Sequence, residues 1–302
     1  MSPVRWDPYT GEPVLIAPER AARPHDAQLA DDPDMCPFCP GSEDQTPPEV
    51  LAVRPGGGDE NGPGWQVRVF PNKFPALAPE EGIHEVIVNT PRHVRSLADL
   101  TDEEVEVAAA AWNERLAAAA ADPRGLWPFW FLNQGAAAGA SLQHSHAQFV
   151  GLPFAPPRLV AQQRAFDEAS RCLVCAEITG VGDRLVDDNG ELIAWCPEVP
   201  PLSGAVRVAP RTHFPDWAAG FDPGGLGRAL RDLCARIQRA FGTDAINLWL
   251  LQRGPGGSDA FHWHVDGVPR LGTLAGLELG SGVIAAAYRQ EVVAERLRAA
   301  TT

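Results

Sequence analysis

Lysine is almost missing from this chain. Lys73 is the only one in 302 residues, and every other basic side chain is arginine. Positive charge is short as well, with a formal net charge of −14. That balance argues against non-specific binding to nucleic acid or to acidic membranes. A small anionic substrate stays open, because local donors decide that case. No apolar run approaches the ~18 residues that span a bilayer. The opening Met1-Ser2-Pro3-Val4-Arg5-Trp6-Asp7 is polar and has no apolar core of a signal peptide. These absences predict a cytoplasmic setting with no membrane and no nucleic-acid partner. There the six cysteines stay reduced, and paired ones serve metals rather than disulfides.

What is present points to a globular protein. The chain is 45% hydrophobic and 21% charged, enough for a full core. Its length allows one large domain or two of about 150 residues. Four cysteines form two C-x-x-C pairs, Cys36-Pro37-Phe38-Cys39 and Cys172-Leu173-Val174-Cys175. Each pair is followed by a strand-like run, Val67 to Pro75 and Leu192 to Pro200, and then by a lone histidine, His93 or His213. Each histidine precedes a helix with a readable start. Thr101 and Glu104 make a capping box before an Ala-rich run to Ala121. Asp222 caps a second helix, Pro223 takes its first turn and Gly242 ends it. Each half then closes on His-x-His, His144/His146 and His262/His264. The interval from His93 to His144 is 51 residues, and that from His213 to His262 is 49. This order implies an internal duplication of an α+β unit. Short strands with tight connections favour antiparallel pairing. Prolines cluster near Pro153 to Pro157 and mark the boundary, giving 1–155 and 156–302. The Gly-rich acidic stretch Arg54 to Gly64 reads as a mobile loop.

Two cysteines and two histidines suit tetrahedral Zn²⁺. Cys36, Cys39, His93 and His144 are predicted as one site, and Cys172, Cys175, His213 and His262 as the other. A thioredoxin-type dithiol is the rival for either pair, but it leaves the matched histidines unexplained. Closed four-ligand sites are structural, with no open position for a metal-bound water. Cys196 and Cys234 lack such partners, and Cys234 falls in a helix as a small buried residue.

The segment Asn133 to Gln148 carries the chemistry. It runs through a small-residue loop, Gly135 to Ser141, into His144-Ser145-His146-Ala147-Gln148. On a strand, residues 144, 146 and 148 share one face. An imidazole placed there can attack phosphorus, while backbone N–H groups and the Gln148 amide hold phosphate oxygens. If His144 binds metal, His146 is left as the nucleophile. The second half has His264 in the equivalent place, but Asp266 replaces Gln148 and the small-residue loop is missing. Only the first half is therefore expected to be catalytic, the second serving dimer or substrate contacts.

These residues resemble the galactose-1-phosphate uridylyltransferase branch of the histidine-triad superfamily, bacterial type. The likeness runs from Arg5-Trp6-Asp7-Pro8 and Ala17 to Pro24, through Cys36 to Glu43, Phe70-Pro71-Asn72-Lys73-Phe74-Pro75 and the His-x-His-x-Gln segment, to Phe261-His262-Trp263-His264. It implies a duplicated histidine-triad-like fold, antiparallel sheets with packed helices. Some members carry an iron site in the second half; the cysteines here favour zinc, giving two structural zinc ions per chain. It implies a ping-pong transfer in which His146 attacks the α-phosphorus of a nucleotide sugar and expels a sugar 1-phosphate. By motif match, Gln148 and Ser141 hold the phosphate, Asn72, Asn133 and Gly139 line the nucleotide site, and Arg20 and Arg23 supply charge. A homodimer is implied as well.

Two departures stand out. The familiar His-Pro-His-Gly-Gln motif reads His144-Ser145-His146-Ala147-Gln148 here. Known members use a lysine near the C-terminus for the hexose phosphate, and none follows Lys73. The second departure favours an alternative reading, a phosphorylase that uses inorganic phosphate on an ADP-sugar or a dinucleoside polyphosphate. A non-enzymatic, zinc-stabilised binding protein is the third reading, which the intact His146/Gln148 pair opposes.

Overall fold

The computed structural model describes residues 4–22, 32–217 and 221–301. Twelve strands are found among them. A hairpin of β1 (Val4–Trp6) and β2 (Pro13–Leu15) stands apart. The first half continues with β3 (Leu51–Val53), β4 (Val67–Pro71), β5 (Ile83–Val88), β6 (Trp127–Gln134) and β7 (His146–Leu152). The second supplies β8 (Leu185–Asp188), β9 (Leu192–Trp195), β10 (Val206–Pro210), β11 (Ile246–Leu251) and β12 (His264–Pro269). These ten make one antiparallel sheet in the order β3-β4-β5-β7-β6-β11-β12-β10-β9-β8. The order is a mirror, so each first-half strand has its counterpart on the far side of the centre. At that centre β6 pairs with β11, and Phe131 lies opposite Trp249. The duplication in the sequence is thus a pseudo-twofold in space, closed edge to edge into one sheet.

Six helices are described: α1 (Asp102–Ala120), α2 (Pro157–Glu168), α3 (Leu173–Thr179), α4 (Pro223–Phe241), α5 (Gly276–Ser281) and α6 (Gln290–Ala299). The two long ones start where their caps predict. Thr101 accepts from the Glu104 N–H, and Glu104 reaches back to the Thr101 N–H. Asp222 accepts from the N–H groups of Gly224 and Gly225, and Gly242 ends α4 at φ 65°. None of the described helices is long and apolar enough to cross a membrane.

Both long helices lie on one face of the sheet, because alternate strand residues there are apolar. Trp130 and Leu132 of β6 and Ala147 and Phe149 of β7 are buried among Val105, Ala109 and Trp112 of α1. The Trp112 and Trp130 rings sit 4.9 Å apart, and the Trp112 indole N–H donates to Asn89 Oδ1 at 3.0 Å. Gly227 lets α4 approach α1. A Cβ there would fall 2.7 Å from the Val105 carbonyl oxygen.

The opposite face is divided. In the second half α2 and α3 cover it, packing Leu159, Phe166 and Val174 on Ile193, Trp195, Ala209 and Phe261. In the first half a smaller cluster of Phe38, Trp65, Phe70, Val86 and Val88 flanks Cys36. The loop from Arg54 to Gly64 is pinned rather than loose at its base. Arg54 makes a bidentate pair with Glu49 and donates to the Gly62 carbonyl.

Candidate active site and metal centres

The strand that carries the site begins at His146, so His144 lies just before it. This is one register step short of the predicted run, and it has a physical cause. Ser145 closes two backbone bonds, its N–H to Val94 and its carbonyl from Asn89. His144 is thereby turned toward the cysteines. Its Nδ1 lies 3.6 Å from both Cys36 Sγ and Cys39 Sγ. Its Nε2–H donates to the Thr90 carbonyl at 2.8 Å, which leaves the lone pair on Nδ1 facing the sulfurs. His93 Nδ1 completes the group, 3.2 Å from Cys39 Sγ.

The second half repeats this geometry. His262 Nδ1 lies 3.4 Å from Cys172 Sγ and 3.5 Å from Cys175 Sγ, while Nε2 bonds the Pro210 carbonyl at 3.0 Å. His213 Nε2 donates to the Asp259 carbonyl at 2.7 Å. The donor atoms within each set lie within 4.8 Å of one another.

Both sets fit a metal ion. A tetrahedral zinc with its usual bond lengths holds sulfur and nitrogen about 3.6 Å apart, and the observed separations cluster around that. Burial pushes the Cys36 thiol up and, with the adjacent Cys36 thiol, pushes Cys39 up to about 12. Burial and Cys172 raise Cys175 to about 11. Neighbouring thiols that resist ionising by themselves need a cation to become thiolates. Burial also holds His144 and His262 down to about 4, so both are neutral imidazoles ready to coordinate. The carbonyl behind each ring fixes its tautomer, as metal-ligating histidines require.

His146 is held by its own neighbour. Its Nδ1–H donates to the His144 carbonyl at 2.7 Å, which puts the lone pair on Nε2. The Phe38 ring meets this imidazole edge to face at 5.2 Å. Gln148 follows on the same face, paired with Val86 on one side and Phe131 on the other. Asn72 comes from the end of β4, and its Nδ2 lies 3.4 Å from Gln148 Oε1.

The other predicted residues group around this pair. Asn133 is the penultimate residue of β6, beside the loop, and Gly139, at φ 87°, closes the turn Ala136–Ala138. Ser141 follows in that loop. A pocket lined by Asn133, Gly135, Ala140, Leu142 and His146 opens beside it. Arg20 is tied to the Asn72 segment through its bond to the Phe74 carbonyl at 2.9 Å. Arg23 lies outside the described residues.

Two residues escaped sequence reasoning. His84 of β5 bonds Gln148 Oε1 at 3.0 Å. Asn247 of β11 donates to Asn133 Oδ1 and to the Ala138 carbonyl, both at 2.8 Å. The only signal was a polar side chain within an otherwise apolar strand run, alone at Asn247 and beside Glu85 at His84.

The counterpart site in the second half is built differently. His264 keeps the bond to the carbonyl two residues back, at 3.0 Å. Asp266, however, pairs with Arg207 at 2.7 Å, and Arg207 also reaches Glu177. Burial and then the Arg207 charge drive His264 down to about 3. Its Nε2 is buried without a hydrogen-bond partner, beneath the face that α2 and α3 cover.

Known proteins are similar to this chain in sequence and fold. The family model "Galactose-1-phosphate uridyl transferase, N-terminal domain" matches residues 59–156. A galactose-1-phosphate uridylyltransferase of Streptomyces lividans is 34% identical over 251 residues, 80% of this chain and 66% of that protein. An ADP-glucose phosphorylase of Arabidopsis thaliana is 27% identical over 98% of this chain and 92% of its own. A solved structure of a uridylyltransferase mutant superposes with a TM-score of 0.83 at 27% identity, covering 99% of this chain and 97% of that one. Fold and site define an α+β protein of two mirrored units in one antiparallel sheet, with the fold of the uridylyltransferases. The chain belongs to the galactose-1-phosphate uridylyltransferase family and is a transferase enzyme.

Proposed function

We propose that this enzyme moves a nucleoside monophosphate between phosphorylated sugars, UMP from UDP-glucose to a hexose 1-phosphate in galactose metabolism. The observation that carries the reading is the His146 Nδ1–H bond to the carbonyl of His144, itself held among the cysteines. Nε2 attacks the α-phosphorus of the nucleotide sugar. A P–N bond forms, the P–O bond to the sugar phosphate breaks, and sugar 1-phosphate leaves with the electron pair. The His144 carbonyl stabilises the positive charge that develops on the imidazole. An acceptor phosphate oxygen then attacks, the P–N bond breaks and the nucleotide moves on. A sugar phosphate is a good leaving group, so no strong acid is required.

Gln148 and Ser141 hold the phosphate oxygens. Asn72, Asn133 and Gly139 line the nucleotide, with Arg20 and Arg23 adding charge. Residues 1–155 carry the reaction and 156–302 support it, with a homodimer as the working form. Two structural zinc ions per chain fix the two His-x-His segments. The four ligand thiols must stay reduced, which suits the cytoplasm.

A second reading is phosphorolysis, with inorganic phosphate as acceptor and an ADP-sugar as donor. It is favoured by the absence of lysine after Lys73 and by the near full-length likeness to an ADP-glucose phosphorylase. One experiment decides between them. The enzyme is incubated with UDP-glucose or ADP-glucose, the intermediate is mapped by mass spectrometry, and galactose 1-phosphate or inorganic phosphate is added. Uridylyl-His146 discharged by galactose 1-phosphate is expected. Adenylyl-His146 discharged by inorganic phosphate establishes phosphorolysis, and no label on His146 removes both.

A further inference from the structure

His84 sits in β5 on the face shared with Val86 and Val88, which pair with Gln148 and His146. It is buried, 7% exposed. Its Nδ1 faces the Ala76 backbone N–H at 2.9 Å. A backbone N–H can only donate, so Nδ1 carries the lone pair. The proton of a neutral imidazole is then on Nε2. Nε2 lies 3.0 Å from Gln148 Oε1, and this bond therefore runs from His84 to the glutamine.

Asn72 makes the same assignment from another side. The Phe74 backbone N–H donates to Asn72 Oδ1 at 2.9 Å, which turns Asn72 Nδ2 inward. That nitrogen lies 3.2 Å from His84 Nε2 and 3.4 Å from the same oxygen of Gln148. Because His84 Nδ1 already accepts the Ala76 N–H, both nitrogens are donors and both turn to the glutamine oxygen. Two donors converge on one end of the carboxamide, so that end is the carbonyl oxygen. The other arm of the planar group is the NH₂, which is presented away from His84.

We infer that His84 is a positioning residue that fixes the flip state of Gln148, so that two N–H donors rather than a carbonyl oxygen meet the phosphate. This rests on the proposed transfer at His146. A carboxamide turned the other way would set its oxygen against a phosphate oxygen, and repel it. Sugar phosphates, nucleotide phosphates and inorganic phosphate are all acceptor-only on their anionic oxygens, so the device serves any phosphate substrate. Discrimination among them must come from other residues.

Two amide substitutions separate the two ring nitrogens. His84→Asn places a side-chain acceptor near Nδ1 for the Ala76 N–H but cannot reach Gln148. His84→Gln places an amide N–H near Nε2 and restores the donor. Single-turnover nucleotidylation of His146 with UDP-glucose is expected to slow about tenfold to a hundredfold in His84→Asn, in line with loss of an aligned oxyanion donor. Metal content and melting temperature should hold, and His84→Gln should recover most of the rate. In a Gln148→Ala background, His84→Asn should cost little more, because its effect passes through Gln148. Equal rates for His84→Asn and wild type, or a His84→Asn penalty undiminished in Gln148→Ala, would overturn the assignment.

Nitrogen-15 NMR of the substrate-free enzyme reads the tautomer directly. Nε2–H at His84 is expected, and Nδ1–H overturns the inference whatever the activity. If wild type leaves His146 unlabelled, the transfer reading fails, while the NMR result still decides the tautomer.

Discussion

Asn247 lies directly opposite Asn133 in the central strand pair, and its Nδ2 donates to Asn133 Oδ1 at 2.8 Å. The same nitrogen donates to the Ala138 carbonyl in the loop that follows. One side chain of the second half thus holds the loop of the first. The bond has no mirror image, since the offset that carries His144 to His262 makes Phe129 the counterpart of Asn247. Asn247→Leu keeps the volume and removes both donors. It is expected to lower stability by about 1 kcal/mol, the low end of the cost of orphaning acceptors, since these are only partly buried, and to lower kcat/KM further than a control of equal stability loss. Urea denaturation beside steady-state kinetics checks this. A variant with unchanged kcat/KM would show that the loop positions itself.

Metal analysis of the pure enzyme should find two zinc ions per chain. Cys36→Ser should lose one ion and soften the first half, and Cys172→Ser the other ion and the second half. Structural zinc contributes directly to folding free energy, so strong chelation should lower the melting temperature as well. One ion or none per chain would refute the duplicated-site reading.

His146→Ala and His144→Ala should fail differently. Losing His146 should abolish nucleotidylation, by several orders of magnitude in rate, with zinc content unchanged. Losing His144 should cost one metal ion and stability, and activity only as a consequence. Mapping of the label to His264 would reverse the assignment of the halves.

The Glu49 cluster makes the stability acid-sensitive. Burial pushes its carboxyl up, but hydrogen bonds from Arg54 and Arg68 outweigh this and bring it from 4.5 down to about 2. The folded value is the lower one, so its contribution is complete above about pH 4.5 and is lost as pH falls toward 2. It amounts to at most on the order of 3 kcal/mol. Glu49→Gln should therefore be less stable than wild type at pH 7, and the gap should narrow in acid. Denaturant titrations across that range test it, and a gap independent of pH would remove the carboxylate from the account.

Much of this protein is legible from adjacent residues alone. Thr101 with Glu104, and Asp222 with Pro223 and Gly242, set both long helices because a cap depends on atoms within one turn. The paired ligand sets are legible because the order Cys-x-x-Cys, His, His-x-His occurs twice. The small-residue loop before His146 is legible for the same local reason. What the chain could not reveal by itself is anything set by strand order. That β6 meets β11 and joins both halves into one sheet depends on which edge of each repeat is left exposed. The bond from Asn247 to Asn133 follows from that join. The bond from His84 to Gln148 follows from β5 lying beside β7. The covering of the second-half face by α2 and α3 is likewise a matter of packing. Such contacts link residues tens to more than a hundred positions apart. Their energy comes from burying apolar faces in one arrangement of the sheet, and no local pattern of side chains encodes that choice.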